Sequence, residues 1–210
     1  MISLPVAVRQ VLDSPEVTCD IDVSVLRQDT RRGWVQLHSG QALRGGIVAA
    51  VSSAGGRVEV AWWGIDEWQA QLARAATVPV PDAIEPSPPL ALEVPLDVLL
   101  ASGEAIRTHR PEVLDELVRR AAGDPARVRD QVVSLHTAVV GRLLAVVAAR
   151  DEAGSRGRVG WVSWVLFADG WRSLTPTRVD GRPSVRVDPV EPSGLGSQVA
   201  RLVSVVRGRP

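Results

Sequence analysis

The stretch RVEVAWWGIDEWQAQLARAATV, residues 57–78, constrains the fold more than any other feature because the chain contains it twice. SVRVDPVEPSGLGSQVARLVSVV, residues 184–206, aligns beneath it without a gap at an offset of 127. Val58/Val185, Val60/Val187, Gln71/Gln198, Ala73/Ala200, Arg74/Arg201 and Val78/Val205 are identical. In each copy a period of two gives way to apolar spacings of three, four and seven, which is a strand running into an amphipathic helix. In the first helix Trp68, Leu72, Ala75 and Ala76 share a face, with Asp66 as the expected N-cap and Gln69 completing a capping-box variant. In the second, Leu195, Val199, Leu202, Val203 and Val206 repeat that face.

The echo continues upstream. GGIVAAVSSAGG, residues 45–56, matches VGWVSWVLFADG, residues 159–170, at an offset of 114, with Gly46/Gly160, Val48/Val162, Val51/Val165, Ala54/Ala168 and Gly56/Gly170 identical. LRGGIVAAVSSAGGRVEVAWW reads as two strands joined at Gly55-Gly56, since both glycines accept the positive φ of a tight hairpin turn. Residues 20–29 alternate Ile21, Val23 and Val25 with polar neighbours as a half-buried strand, and TRRGWVQLHSG reads as a turn and a short strand. Residues 142–151 form a strand, and WRSLTP is a strand added to the second half.

Between the halves, residues 79–95 carry Pro79, Pro81, Pro86, Pro88, Pro89 and Pro95, a density that no helix survives, with room for one strand at 90–94. Three helices follow, each opened by a proline. Pro95 precedes Val98, Leu99 and Leu100. Pro111 opens EVLDELVRRAAG, with Asp115/Arg119 and Glu116/Arg120 as i,i+4 pairs and Gly123 as the stop. Asp124-Pro125 caps and starts ARVRDQVVSLH. A short helix over 5–13 opens the chain, with Val6, Val8, Val11 and Leu12 as its apolar side.

Neither half has enough strands to bury a sheet face alone. The expected fold class is therefore α+β, with antiparallel sheets in two pseudo-twofold-related halves and an intervening three-helix segment. One domain of 210 residues is expected, its first half near 20–78, linker and helices over 79–138, and second half near 142–206.

The 24 basic and 24 acidic residues cancel, so no net charge draws the chain to nucleic acid or an anionic membrane. Every basic residue is Arg, and Lys, Asn and Tyr are absent, a bias of GC-rich, actinobacterial-type coding sequence. Cys19 is alone, so no intrachain disulfide and no cysteine metal site is expected. The start lacks a basic n-region, and the longest uncharged run, 45–56, is short of the ~20 residues of a membrane helix. A cytoplasmic protein is the expectation.

Chemistry-bearing patterns are sparse. His38, His109 and His136 are scattered and form no H-x-x-x-H pair, so neither a metal nor a cofactor is expected. His136, ending a helix, suits the helix dipole. Without lysine there is no P-loop, and there is no G-x-S-x-G elbow. Glu104, Glu112, Asp115 and Glu116 read as a solvated helix face.

The anomaly is seven Trp against one Phe. Trp161 and Trp164 stand an odd number of residues apart and point to opposite faces of one strand, as do Trp62 and Trp63. Trp is favoured where a rigid apolar surface is desolvated on binding.

The order of elements over residues 20–206 resembles the EspG family of chaperones associated with ESX (type VII) secretion. The resemblance is carried by LRGGIVAAV and its hairpin into RVEVAWW, the helix to Val78, LALEVP, GRLLAVVAARD, the VGWVSWVLFADGWRSLTP hairpin and the last helix. The chain departs from the family pattern at its front, where 19 residues precede the expected first strand. The resemblance implies a non-enzymatic cytosolic chaperone that covers the aggregation-prone tip of a helical PE/PPE-like secretion substrate. Trp161, Trp164 and Trp171 are the expected partner-binding anchors, with Arg172 on the rim. The rival readings are a self-associating structural or regulatory homodimer and, third, a small hydrolase that would gather His38 or His109 with a carboxylate and a hydroxyl.

Overall fold

The computed structural model describes residues 4–26, 34–78, 92–121, 124–150 and 155–208. It is an α+β protein with a nine-stranded antiparallel sheet in the order β4-β3-β2-β1-β6-β7-β8-β9-β5, and six helices among the described residues. In chain order the elements are α1 (Val6–Asp13), β1 (Val17–Leu26), β2 (Trp34–Arg44), β3 (Ile47–Ala54), β4 (Arg57–Gly64) and α2 (Ile65–Ala76). They continue as β5 (Leu92–Pro95), α3 (Leu96–Arg107), α4 (Pro111–Val118), α5 (Pro125–Thr137), β6 (Gly141–Arg150), β7 (Arg156–Phe167), β8 (Gly170–Val179), β9 (Arg182–Val190) and α6 (Gly194–Val206).

Glycine pairs set the hairpins. Gly55 and Gly56 stand at φ 55° and 79°, as expected for the turn between β3 and β4. Gly45 and Gly46, read above as strand interior, have the same geometry at φ 56° and 80° and form a second turn. TRRGWVQLHSG accordingly yields an eleven-residue strand, β2, rather than a short one, and its first residues lie outside those described. Asp180-Gly181, at φ 48° and 78°, makes a third such turn between β8 and β9. Two runs of four strands and a helix result: β1–β4 with α2, and β6–β9 with α6. In that order the 127-residue offset joins corresponding elements, β4-α2 with β9-α6. The 114-residue offset sets β3 against β7, one strand out of step.

The chain divides into two compact units. The first comprises Met1–Pro79, Arg142–Ser163 and Glu191–Pro210, the second Val80–Gly141 and Trp164–Val190. In the first, α2 and α6 pack on one sheet face. Trp68, Leu72 and Ala76 from α2 and Leu195, Val199, Val203 and Val206 from α6 are buried, as are Cys19, Ile21, Leu43 and Val48 in the strands. Each of the larger side chains contributes roughly 1.5–3 kcal/mol by leaving water. Trp68 Nε1 donates to Gln41 Oε1 at 2.5 Å, satisfying two buried polar groups at once. Gly196 lets the helices close: a Cβ there would lie 2.9 Å from the Cα of Gln69. Burial beside Asp20 pushes the Cys19 thiol up to about 12.

Asp66 does not cap α2. Gly64 occupies the N-cap with no side-chain bond, and Asp66 and Glu67 lie in the first turn, where their charge suits the helix dipole. On the opposite sheet face, α1 covers only the end of β2 and β3, through Val8 and Val11 against Ala42 and Ala49.

The second unit packs α3, α4 and α5 on β5, β8, β9 and the end of β7. Val94, Val98, Leu114, Val132, Phe167 and Val187 lie in its core. Asp124 accepts the Ala126 N–H at 3.1 Å, the expected cap of α5. Arg120 pairs with Glu116, whereas Asp115 pairs with Arg129 on α5 at 2.7 Å, because α5 lies alongside. His136 does more than face a helix dipole: its Nε2 meets the Leu99 carbonyl at 3.1 Å and its ring packs where Gly103 leaves room. Leu100 is exposed while Val98 and Leu99 are buried. The expected strand at 90–94 is β5. Most of the proline-rich crossing, and Gly123, lie outside the described residues.

Candidate protein-binding surface

The four residues expected to anchor a partner do not share one environment. Gly160 abuts Leu202 of α6, so Val159 and Trp161, flanking it on β7, face away from α6. Trp161 is 58 % exposed and Val159 is also exposed. Leu144, on β6 between buried Leu143 and Ala145, is exposed as well. This part of the sheet in the first unit therefore carries apolar side chains that no described element covers.

Trp164 and Trp171 are interior to the second unit, at 0 % and 3 % exposure. Leu166 pairs with Trp171 and Trp164 with Ser173, which makes the two tryptophans diagonal neighbours; their rings sit 6.0 Å apart at 52°. Arg172 is equally buried at 6 %, not on a rim. Its Nη1 donates to the Trp171 carbonyl at 3.1 Å and its Nη2 to Asp169 in the β7–β8 turn. These three tie the hairpin together. A partner cannot touch their side chains while the unit stays folded, so direct anchoring by Trp164, Trp171 and Arg172 is corrected to a structural role. The period-two rule separated Trp161 from Trp164, but which side was covered depended on the helices.

A second apolar area lies on β3 and β4. Cross-strand partners share a face, so Val51, Val60 and Trp62 stand on the same side of the sheet as Ala49, which α1 covers, and Val51 and Trp62 stay exposed there. Trp62 is 47 % exposed and Val58 is exposed beside it. Trp63, its neighbour, turns inward. The alternation of Trp62 and Trp63 announced one of them, but nothing in the sequence marked Val58 as open.

A carboxylate, an imidazole and a hydroxyl do align on this face. Asp22, His38 and Ser53 occupy one row across β1, β2 and β3, and His38 Nδ1 meets Asp22 Oδ1 at 2.8 Å. A hollow of 450 Å³ beside them is lined by Gln36, Gly55, Gly56 and Val58. His38 and Asp22 are both more than half exposed. No hydrogen bond joins His38 to Ser53, so the hydroxyl has no base in contact with it. His109 stands at φ 54° just after α3, and His136 is engaged with Leu99, so neither joins such a row. Among the described residues no group of three or more His, Cys, Asp or Glu could hold a metal ion, and no helix is long and apolar enough to cross a membrane.

An antiparallel sheet packed by helices, with exposed apolar side chains left on β3, β4, β6 and β7, defines the class, an α+β fold. No family model and no curated protein sequence matches the chain. A solved structure does: that of the type VII secretion system chaperone EspG5 of Mycobacterium tuberculosis, in complex with a PE25–PPE41 dimer. The likeness has a TM-score of 0.61 at 14 % identity and covers 94 % of this chain and 76 % of that one. The chain thus has a fold like that of EspG5.

Proposed function

We propose that this protein is a non-enzymatic, cytoplasmic chaperone of the type VII secretion class, holding a helical PE/PPE-like protein before export. The fold likeness to a chaperone whose structure is solved in complex with a PE25–PPE41 dimer supports this, and the observation that carries it is exposed Trp161 beside Val159 on a strand face turned away from α6. Covering the apolar tip of a helical partner would remove the surface through which that partner self-associates, and the complex persists by mass action. Trp161 is the proposed anchor. Trp164, Trp171 and Arg172 contribute by holding the β7–β8 hairpin. The two runs of four strands and a helix are inferred to descend from one duplicated unit.

The test is co-expression with helical-hairpin proteins encoded beside this chain, followed by size-exclusion chromatography with light scattering. A stable complex that keeps the neighbour soluble is expected. Trp161→Ala should fold normally and bind roughly 30-fold more weakly, the loss of an anchor worth about 2 kcal/mol. A folded Trp161→Ala protein that binds a confirmed partner at full strength would remove Trp161 from the reading. Failure to bind any helical neighbour would remove the reading itself.

A further inference from the structure

We propose that two copies of this chain associate edge to edge through β4, antiparallel, about a two-fold axis at Val60. This concerns a different part of the sheet from Trp161 and does not rest on the chaperone reading.

β4 is an outer strand. Its phase is fixed by the Gly55-Gly56 turn, a two-residue turn with both φ positive, which makes Ala54–Arg57 a hydrogen-bonded pair. Bonded pairs then alternate along the hairpin, and the bond from Ile65 N to Gly46 O, at 2.9 Å, continues the same phase at its far end. The main-chain groups of Arg57, Glu59, Ala61 and Trp63 therefore face β3. Those of Val58, Val60 and Trp62 point outward, leaving three N–H and three C=O groups that no described strand pairs.

The two ends of the sheet differ. β5 is four residues long and ends in Pro95, the kind of short, proline-bearing edge that resists pairing. β4 has eight residues, no proline, and alternating Val and Trp on its exposed side. Its only charged residues, Arg57 and Glu59, stand outside the outward row of Val58, Val60 and Trp62.

The outward row is complementary to itself when reversed. With Val60 on the axis, Val58 of each copy faces Trp62 of the other and Val60 faces Val60. Those three pairs exchange six main-chain hydrogen bonds, and every exposed apolar side chain of β4 meets another. On the opposite face Arg57 falls against Trp63, an arrangement open to cation–π contact. Moving the axis to Glu59 would oppose two carboxylates. Moving it to Ala61 would set Val58 against Gly64 and leave it uncovered. A single strand pair buries less than a standard interface, so the dimer is expected to be concentration-dependent.

Light scattering over a concentration series tests this. The mass should rise from that of one chain, 22.5 kDa, toward twice that value in the hundreds of micromolar. In the dimer, amide exchange should slow at Val58, Val60 and Trp62. Val60→Pro removes only an outward N–H, which an edge strand tolerates, and should leave a folded monomer at all concentrations. Oxidation of Val60→Cys should crosslink the dimer, since paired Cα atoms lie about 5.5 Å apart. Ala61→Cys should not crosslink, its mates being out of disulfide reach. Cys19 is buried and does not interfere. A mass of one chain throughout, unslowed amides in a wild-type dimer, a Val60→Pro protein that still dimerises, or preferential crosslinking at residue 61 would each overturn the proposal.

Discussion

Gly196→Ala isolates the contact that holds α2 and α6 together. The added Cβ would lie 2.8 Å from the Cβ, 2.9 Å from the Cα and 3.0 Å from the carbonyl oxygen of Gln69. Two of those atoms are backbone within α2, so relief requires the helices to separate rather than a side chain to rotate. Overpacking of this kind costs about 1–3 kcal/mol, and contact with backbone belongs at the upper end. Replacing glycine by alanine in a helix returns at most about 1 kcal/mol. A net loss of about 2 kcal/mol is expected, a drop in Tm of roughly 4–8 °C for a chain of this size. Gly160→Ala is the control. Its nearest atom is Leu202 Cδ2 at 2.9 Å, the far end of a flexible side chain, so its effect should be within about 1 kcal/mol. Thermal and urea unfolding followed by circular dichroism would measure both variants. A Gly196→Ala protein as stable as the parent, or more so, would refute the reasoning that backbone contact sets the helix spacing.

Four other perturbations follow from the same structure. Trp68→Phe deletes the donor to buried Gln41 Oε1 and leaves that oxygen unpaired, so urea unfolding should show a loss of about 2–3 kcal/mol. Cys19, with its thiol pushed up to about 12, should ignore a thiol reagent at pH 8 until the protein is denatured. Because the folded thiol holds its proton more tightly than the unfolded one, this group's contribution to stability is complete below about pH 9 and declines as pH rises toward 12, which pH-dependent unfolding would reveal. A serine-reactive phosphonate should leave Ser53 unlabelled, since no base contacts its hydroxyl; labelling that is lost in His38→Ala would reinstate the hydrolase reading.

Much of the fold was legible because its signals are local. Period-two alternation located the strands to within a few residues, Gly55-Gly56 located a turn, and Pro111 and Asp124-Pro125 located helix starts. The errors were local signals given the wrong partner. Gly45-Gly46 carries the same turn chemistry as Gly55-Gly56, yet it sits in an apolar run that also reads as one strand. Asp66 is a good cap residue, but the main chain turns helical at Ile65 because its N–H bonds Gly46 across the hairpin.

The site was less legible, for a physical reason. Alternation assigns Trp161 and Trp164 to opposite faces but cannot say which face a helix will cover. That depended on α6 settling over Gly160 and on the β7–β8 hairpin enclosing Trp164 with Trp171. Arg172 shows the limit most plainly: a charged residue is read as surface by default, and only the pairing of β7 with β8 and the nearby Asp169 allow it to be buried. The sequence by itself determined the elements, their order and the faces of each strand, because backbone geometry and side-chain period act over a few residues. Tertiary structure alone decided which faces stay open, because burial is a property of what packs on a strand and not of the strand.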